Sequence, residues 1–460
     1  MNIRTSPVLV TLPPGPPLPG PILTGLWIAS RKRLLACLQR RYGSTFTMTM
    51  SPFGPSVFLC SAALVRQMLT TSPAIAGLGE PNLGNVLGPG STFALEGPEH
   101  LHRRKLLAPS FHGRHLHAYE ELMVEETVRE AETWPQGVEF ATAPRFMRLT
   151  LNIILRTVLG AEGEHLERLR ELMPPMVDLG ARLTLSPFTD RGRSWGAWAR
   201  FRRMRREYDT VAFDLIDSVR ADPKLEERED VLAMLVQSRY EDGEAMANQE
   251  IADELLTILG AAHETTANTL TWAVERLTRH PELLDRLVAE VDGGGSDLLA
   301  ATILEVQRTR PVITDITRSV DAPTMPLGEW TIPKGHQVVI AIDFVQMDET
   351  VFPNPEKFDP DRFVHAHPDT YSWIPFGGGT RRCIGAAFAN LEMNVVLRTL
   401  LQNYEFRTTC VPDEKWKSRG VSWTPARGGR AVVHRRNTAH TLPHAAPAST
   451  TIRRTSDDVG

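Results

Sequence analysis

Cysteine is scarce in this chain of 460 residues. Four cysteines occur, Cys37, Cys60, Cys383 and Cys410, and no two of them have the CxxC spacing of a zinc ribbon or a redox pair. The sequence therefore argues against a disulfide framework and against a structural zinc site. A reducing cytoplasm is the compartment that such cysteine usage favours.

Long apolar runs and a strong charge imbalance are also absent. The apolar stretch at residues 22–29 is far shorter than the ~20 residues of a membrane span, and Arg31, Lys32 and Arg33 follow it. We expect no signal peptide and no stable membrane anchor. The formal net charge of -4 gives no argument for nucleic acid as a partner. Hydrophobic residues make up 42% of the chain, enough for a large core.

The remaining patterns predict one large, mainly helical domain with a smaller β region. Residues 1–30 include TLPPGPPLPGP and are expected to form an extended, proline-rich arm. Helical periodicity dominates residues 31–280, apart from a Gly/Pro-rich stretch at residues 74–90, and strand-like alternation follows at residues 330–342. We assign residues 31–435 to a single domain. The tail, residues 436–460, has few large apolar residues and is expected to be disordered.

The clearest predicted helix runs over residues 251–279 and stops before Pro281. It would be about 40 Å long, and its apolar first half indicates that it crosses the interior. An acid and an alcohol, Glu264 and Thr265, interrupt this run in AAHETT. Burying them is costly unless they have a function, and proton delivery is the chemistry that fits an acid beside an alcohol. Thr265 could equally donate to the carbonyl four residues earlier and bend the helix, and both roles are compatible.

The most specific pattern is FGGGTRRCIG, residues 376–385. Three glycines allow backbone N–H groups to approach a sulfur closely. The helical pattern that follows places Cys383 near a helix N-terminus, where a thiolate is favoured. A buried free cysteine in a glycine-rich turn is the plainer alternative.

This run resembles the cysteine loop of the cytochrome P450 family, FxxGxRxCxG, at all five fixed positions. The resemblance extends over about residues 12–435 and is most like actinobacterial, particularly mycobacterial, members. It implies the P450 fold, with haem b buried between the long central helix and the cysteine loop. Cys383 would ligate the iron, Phe376 would shield the proximal face, and Arg381 would neutralise a haem carboxylate. The family motif (A/G)Gx(D/E)TT is also matched, except that Ala262 stands where glycine is commoner.

Two further sets of residues match family positions. Glu305 and Arg308, with Arg362 in FDPDRF, would form a buried ion triad that holds the cysteine loop; a solvated surface pair is the alternative. His100 and Arg104, four apart on a predicted helix, would bind haem propionates together with Arg318. Without the resemblance, a solvated basic face would explain that pair.

The family resemblance implies a monooxygenase that takes O2 and a lipophilic small molecule. Separate proteins, a ferredoxin and its reductase, would supply electrons, because the chain has no flavin domain or ferredoxin-type cysteine cluster. Arg103, Lys105, Arg114 and Arg382 could form a basic face that docks an acidic ferredoxin; scattered, solvated basic residues are the alternative. Pocket positions carried over from the family are apolar: Leu83, Val86, Phe93, Ala261, Val312 and Ile313.

Two other functions are compatible with much of this pattern. A peroxygenase would use hydrogen peroxide and would need no proton relay. A haem-binding sensor would not turn over at all. The acid–alcohol pair Glu264–Thr265 argues against both.

Overall fold

The computed structural model describes residues 10–51, 53–79, 83–111, 116, 118–160, 163–184, 186 and 190–436. The predicted tail, residues 436–460, lies outside these except for Arg436, which is ordered against the domain and donates its N–H to Asn403 O at 2.9 Å. The helices are α1 Gly20–Tyr42, α2 Val65–Thr70, α3 Leu83–Leu87, α4 Gly97–Leu107, α5 Glu120–Glu132, α6 Ala143–Leu159, α7 Gly163–Thr184, α8 Ala197–Arg220, α9 Val231–Gln237, α10 Asn248–Leu277, α11 Pro281–Asp292, α12 Asp297–Thr309, α13 Ile342–Val345, α14 Asp361–Val364 and α15 Ala386–Asn403. No helix of the described part is long and apolar enough to cross a bilayer.

The strands of the described residues are short: five form one mixed sheet, and the other eight form four two-stranded sheets. They are β1 Thr45–Met50, β2 Gly54–Leu59, β3 Ala76–Leu78, β4 Phe140–Ala141, β5 Asp315–Val320, β6 Thr324–Leu327, β7 Trp330–Pro333, β8 Gln337–Ala341, β9 Tyr404–Phe406, β10 Trp416–Ser418, β11 Trp423–Pro425, β12 Arg430–Ala431 and β13 Val433–Arg435. The sheet has the order β1-β2-β8-β5-β3, with β2 and β8 parallel and the other pairs antiparallel. The expected mainly helical fold with a smaller β region is confirmed.

The N-terminal arm is shorter than the sequence suggested. Residues 10–19 are extended, and Thr47 donates its N–H to Pro14 O at 3.0 Å. The helix α1 then begins at Gly20, so the prediction of an arm through residue 30 is wrong from that point. A proline in the first helical turn is the reason, because its missing N–H has no partner to lose there and its φ is already helical. The helix is kinked at Ser30, where φ is -165°.

The second part of α1 is fixed to the sheet by a buried ion network. Arg31 donates to Asp343 at 2.8 Å and to Asp315 at 2.6 Å, and both distances join side chains that are far apart in sequence. The guanidinium group of Arg31 is buried, with 4% of the side chain exposed. Breaking such a pair leaves an unpaired buried charge, so this network stabilises the packing of α1 on the sheet.

The helix α10 crosses the helical core, as predicted, and packs closely on α6. Between Ile251 and Leu277 its residues are buried, except at Gly260, Ala261, Ala262 and Thr265. Ala261 and Thr265 lie one turn apart and therefore on the same side of the helix. An accessible patch in the middle of an otherwise buried helix indicates that the patch lines an internal space.

Candidate active site

The cysteine loop turns sharply before α15. Cys383 donates its N–H to Phe376 O at 2.9 Å and closes the loop. Gly377 and Gly379 have positive φ values of 68° and 64°, a region that favours glycine. A Cβ atom on Gly379 would lie 2.1 Å from the carbonyl oxygen of Leu69, so the loop packs directly against the end of α2.

The thiol of Cys383 is accessible and yet surrounded by protein. It has exposed surface, but burial raises its pKa, so that surface faces the interior of the molecule. A hydrogen bond from the Gly385 N–H and the charges of Arg104 and Arg382 act in the opposite direction. The hydrogen bond to the sulfur thus comes from the residue after Ile384, while the three glycines serve the turn and its close packing.

Cationic groups converge beside the cysteine. Burial lowers the pKa of Arg381 to about 10, with the charges of Arg318 and Arg104 contributing. Burial also lowers the pKa of His100 to about 4, and the same three guanidinium groups contribute to that shift. Their mutual repulsion is a cost that a bound dianion would remove.

The residues present therefore fit haem b. Three guanidinium groups and an imidazole suit its two carboxylates, and an accessible cysteine sulfur suits its iron. A chain of contacts connects this region to α10: Arg381 donates to Leu95 O at 2.6 Å and Thr92 O at 3.4 Å, and a Cβ atom on Gly260 would lie 3.8 Å from Leu87. The loop of residues 87–95 thus links the cysteine side with the accessible patch of α10.

The predicted ion triad is brought together in the core. Arg308 donates to Glu305 at 2.7 and 2.8 Å, and Arg362 donates to the same carboxylate at 3.3 Å. Arg308 and Glu305 are fully buried. Arg308 also donates to the carbonyls of Gln346 and Pro355, which ties α12 to the segment that precedes the cysteine loop.

The acid and the alcohol of α10 point in different directions. Glu264 accepts hydrogen bonds from Arg419 at 3.0 Å and from Ser422 at 2.8 Å, both in the turn between β10 and β11. Thr265 donates to the Ala261 carbonyl at 2.8 Å, the local bond that sequence reasoning had allowed for. None of these hydrogen bonds joins Glu264 to Thr265.

Glu264 lines a separate cleft. This cleft has a volume of about 810 Å³ and lies between α5, α6, α7 and the β10–β11 hairpin. His263, Glu264 and Asn268 of α10 form part of its lining, together with Arg148 and Arg419. Solvent in the cleft can therefore reach the acid on a side of α10 where Thr265 does not line the wall.

The predicted pocket residues differ in accessibility. Phe93 and Ala261 are exposed, while Leu83, Val312 and Ile313 are half-buried. Val86 is only 6% exposed, and a Cβ atom on Gly180 of α7 would lie 2.9 Å from it, so Val86 packs in the core. Phe376, predicted to shield the proximal face, packs on Trp373 with ring centroids 6.0 Å apart.

The predicted docking face is wrong at Arg103. This side chain is 2% exposed and donates to Glu254 at 3.1 Å and Glu250 at 2.6 Å, so it cannot contact a partner protein. Lys105 is exposed and pairs with Glu241 at 3.0 Å. Arg382 is exposed, and Arg114 lies outside the described residues.

Comparisons with known proteins agree with this arrangement. The family model described as "Cytochrome P450" matches residues 13–429. The chain belongs to the cytochrome P450 family. It is 50% identical over 435 residues to cytochrome P450 138 of Mycobacterium tuberculosis, which covers 94% of this chain and 98% of that protein. It is 39% identical over 431 residues to cytochrome P450 135B1 of the same species, covering 92% and 91%.

A solved P450 structure confirms the fold. Retinoic acid bound cyanobacterial CYP120A1 superimposes with a TM-score of 0.80 at 24% identity, covering 93% of this chain and all of that one. The expected P450 fold and the likeness to mycobacterial members are thus confirmed. The P450 family consists of haem-thiolate monooxygenases, and this chain is accordingly an oxidoreductase whose cofactor is haem b.

Sequence reasoning missed several residues around the P450 site. Asp253 and Glu254, in the first half of α10, are fully buried, although that half was expected to be apolar on most faces. Asp253 accepts from the Gly90 N–H at 2.8 Å and pairs with Arg205 of α8; Glu254 accepts from Thr92. Two adjacent acids inside an apolar helical run were the available signal. The sequence contained no signal for Arg419, because only the tertiary fold brings it next to Glu264.

Proposed function

We propose that this P450 inserts one oxygen atom from O2 into a lipophilic small molecule. The observation that carries the proposal is the accessible patch at Ala261 and Thr265 on the buried helix α10. Leu87 and Phe93 lie on the loop of residues 87–95, which adjoins the patch. An apolar wall beside a single hydroxyl favours a hydrophobic substrate.

The proposed roles on the cysteine side follow from the contacts described above. Cys383 provides the thiolate for the iron, and the Gly385 N–H stabilises its negative charge. His100, Arg104, Arg318 and Arg381 hold the two carboxylates of the cofactor. Haem b with a thiolate ligand supplies the chemistry that activates dioxygen. The ion triad Glu305–Arg308–Arg362 keeps the preceding segment in place.

The acid–alcohol pair is proposed to deliver protons. Glu264 is bound to Arg419 and Ser422 and takes up a proton from water in its cleft once it has left Arg419, because a guanidinium partner favours the ionised carboxylate. It must leave Arg419 to approach Thr265, whose hydroxyl must in turn leave the Ala261 carbonyl. The methyl group of Ala262 narrows the groove beside them. Arg419 therefore controls when the carboxylate is free to move.

Electrons are proposed to come from a ferredoxin and its reductase in the cytoplasm. Four free cysteines are compatible with a reducing compartment. With Arg103 buried, the proposed docking residues reduce to Lys105 and Arg382, which are exposed. Charge reversal at Arg382 should slow reduction of the iron while leaving substrate binding unchanged.

The test is turnover with each oxidant system. We expect NAD(P)H, ferredoxin and reductase to drive product formation from a ligand found by its spectral shift with the ferric protein. Fatty acids, sterols and terpenoids are the classes to screen. When labelled dioxygen is supplied, one labelled oxygen atom should appear in the product. Product with peroxide and none with the ferredoxin system would instead indicate a peroxygenase, and a failure to consume reductant with any ligand would indicate a sensor.

A further inference from the structure

The first 79 residues of the chain contain no aspartate or glutamate. They carry seven cations, which are Arg4, Arg31, Lys32, Arg33, Arg40, Arg41 and Arg66. The whole chain has a net charge of -4, so residues 80–460 carry -11 against +7 for this segment. Charge is therefore divided sharply between the N-terminal segment and the rest of the protein.

The same segment exposes large apolar side chains. Residues 20–29, GPILTGLWIA, form the first part of α1, and only Leu23 among them is buried. Ile22 is 51% exposed, Leu26 is 44% exposed and Ile28 is 80% exposed. Single exposed apolar residues are common on protein surfaces, whereas a cluster of them marks an interaction site.

Neighbouring parts of the chain enlarge this cluster. Leu18, one turn before Ile22, is 44% exposed, and so is Phe53 in the β1–β2 turn. The turn is bound to the start of α1, because Ser51 donates its N–H to the Thr24 hydroxyl at 2.9 Å. Leu18, Ile22, Leu26, Ile28 and Phe53 together are called the N-terminal face below.

Basic groups follow the N-terminal face directly. Arg33 is exposed and lies five residues after Ile28, whereas the ammonium group of Lys32 lies 3.5 Å from the centroid of the Trp416 ring. Arg40 and Arg41 are also exposed, and they donate to the Ala36 carbonyl and to the Tyr42 hydroxyl rather than to a carboxylate. Their positive charge is therefore available to an anionic surface.

We propose that the N-terminal face binds the surface of an anionic lipid bilayer. Residues 20–29 would lie in the plane of the membrane, with Ile22 and Leu26 between the headgroups and the basic residues on lipid phosphates. A helix with exposed aliphatic side chains and adjacent bases has the composition of such interfacial segments. An acidic protein surface would attract the bases but offers nothing to the aliphatic side chains.

The proposal goes beyond the proposed monooxygenase function and does not depend on it. The contact is peripheral and reversible, because the segment is too short to span the bilayer. Anionic headgroups attract each basic residue near the surface, so binding should weaken as salt is added. A protein held in this way would be close to any ligand dissolved in the membrane.

Vesicle flotation with the full-length, haem-loaded protein tests the proposal. We expect binding to vesicles of phosphatidylcholine with phosphatidylglycerol, little binding to phosphatidylcholine alone, and release by salt. The double variant Ile22→Ser, Leu26→Ser should bind the anionic vesicles about tenfold to a hundredfold more weakly. The matched control is Val138→Ser, Val411→Ser, since both valines are exposed apolar residues elsewhere, at 62% and 44%.

The carbon monoxide spectrum of the reduced variants verifies that they are folded. Each of the following outcomes would overturn the proposal. Absence of binding to anionic vesicles, or equal binding by the double variant, would contradict it. If the double variant instead loses a concentration-dependent dimer seen without lipid, the face binds a second copy of the chain. If it loses only an association with an acidic ferredoxin, the face is a protein interface.

Discussion

Arg419 donates through Nε to the carboxylate of Glu264 at 3.0 Å and holds this acid away from Thr265, its neighbour in sequence. The arginine is 37% exposed at the cleft, whereas the side chain of Glu264 is 7% exposed. A partly exposed cation thus holds a buried acid. The proposed delivery of protons by Glu264 requires this pair to separate.

Glu264→Gln should lower turnover with the ferredoxin system about a hundredfold, because an amide cannot carry a proton. Substrate affinity, measured by the spectral shift, should stay unchanged, since Glu264 faces the cleft. The solvent deuterium isotope effect on turnover should increase. Arg419→Gln should change the pH profile of turnover, and Arg427→Gln, an exposed arginine just after β11, is its control. An unchanged rate in Glu264→Gln would remove this acid from the relay.

Cys383→Ala should abolish the long-wavelength absorption band that reduced, carbon monoxide-bound P450 proteins owe to their thiolate ligand. The band requires sulfur on the iron, and alanine offers none. Cys410→Ala, which removes an exposed cysteine near the C-terminus, should leave the band intact. Survival of the band in Cys383→Ala would mean that another residue is the ligand.

Arg308→Gln should lower the free energy of unfolding by about 3 kcal/mol or more, because it leaves the fully buried Glu305 carboxylate without its main partner. Urea unfolding of the haem-loaded protein measures this. Arg286→Gln is the matched control: it removes an arginine that pairs with Asp361 at the surface, where both side chains are about half exposed at 51% and 55%. Its cost should stay below about 1 kcal/mol. Equal costs would contradict a buried triad.

The stability of the Glu392→Gln variant, relative to that of the unchanged protein, should increase as the pH rises from 5 to 8. Glu392 is buried in α15, and burial raises the pKa of its carboxyl well above the ordinary value. The folded protein therefore keeps a proton that the unfolded chain releases, and stability falls as pH rises through that interval. Each pH unit is worth about 1.4 kcal/mol.

Glutamine does not titrate, so it removes this pH dependence; any cost of burying its amide is the same at every pH. The difference between the thermal midpoints of the two proteins, measured at several pH values, gives the slope of this dependence. Glu349→Gln, at an exposed site, should show no such slope. If the difference for Glu392→Gln did not vary with pH, the carboxyl would be ionised in the folded state.

Much of the fold could be predicted because local signals agreed with it. The long helix predicted at residues 251–279 is α10, whose bounds in the structure are Asn248–Leu277. The cysteine loop and the pair Glu305–Arg308 are short-range patterns, so their residues could be named from sequence. The assignment of residues 31–435 to one domain stays a prediction.

What could not be predicted depends on contacts between distant segments. Arg103 stands in a basic run and was assigned to the surface, yet the buried Glu254, 151 residues later, draws it inside. Arg419 meets Glu264 across 155 residues. The local sequence does not show which residue pairs with which, because each pairing depends on how α10 is oriented in the core.

The bond between Arg31 and Asp343 has a consequence for biosynthesis. It joins residues 312 positions apart, and β2 pairs in parallel with β8 over a similar separation. At roughly 5–20 residues per second, a ribosome needs on the order of fifteen to sixty seconds to make the intervening chain. During that time the first helix, apolar at one end and basic at the other, lacks its carboxylate partners and the strands β5 and β8 of its sheet. The earliest segment to emerge is therefore among the last to be fixed, and it is the part of the nascent chain most in need of a temporary partner.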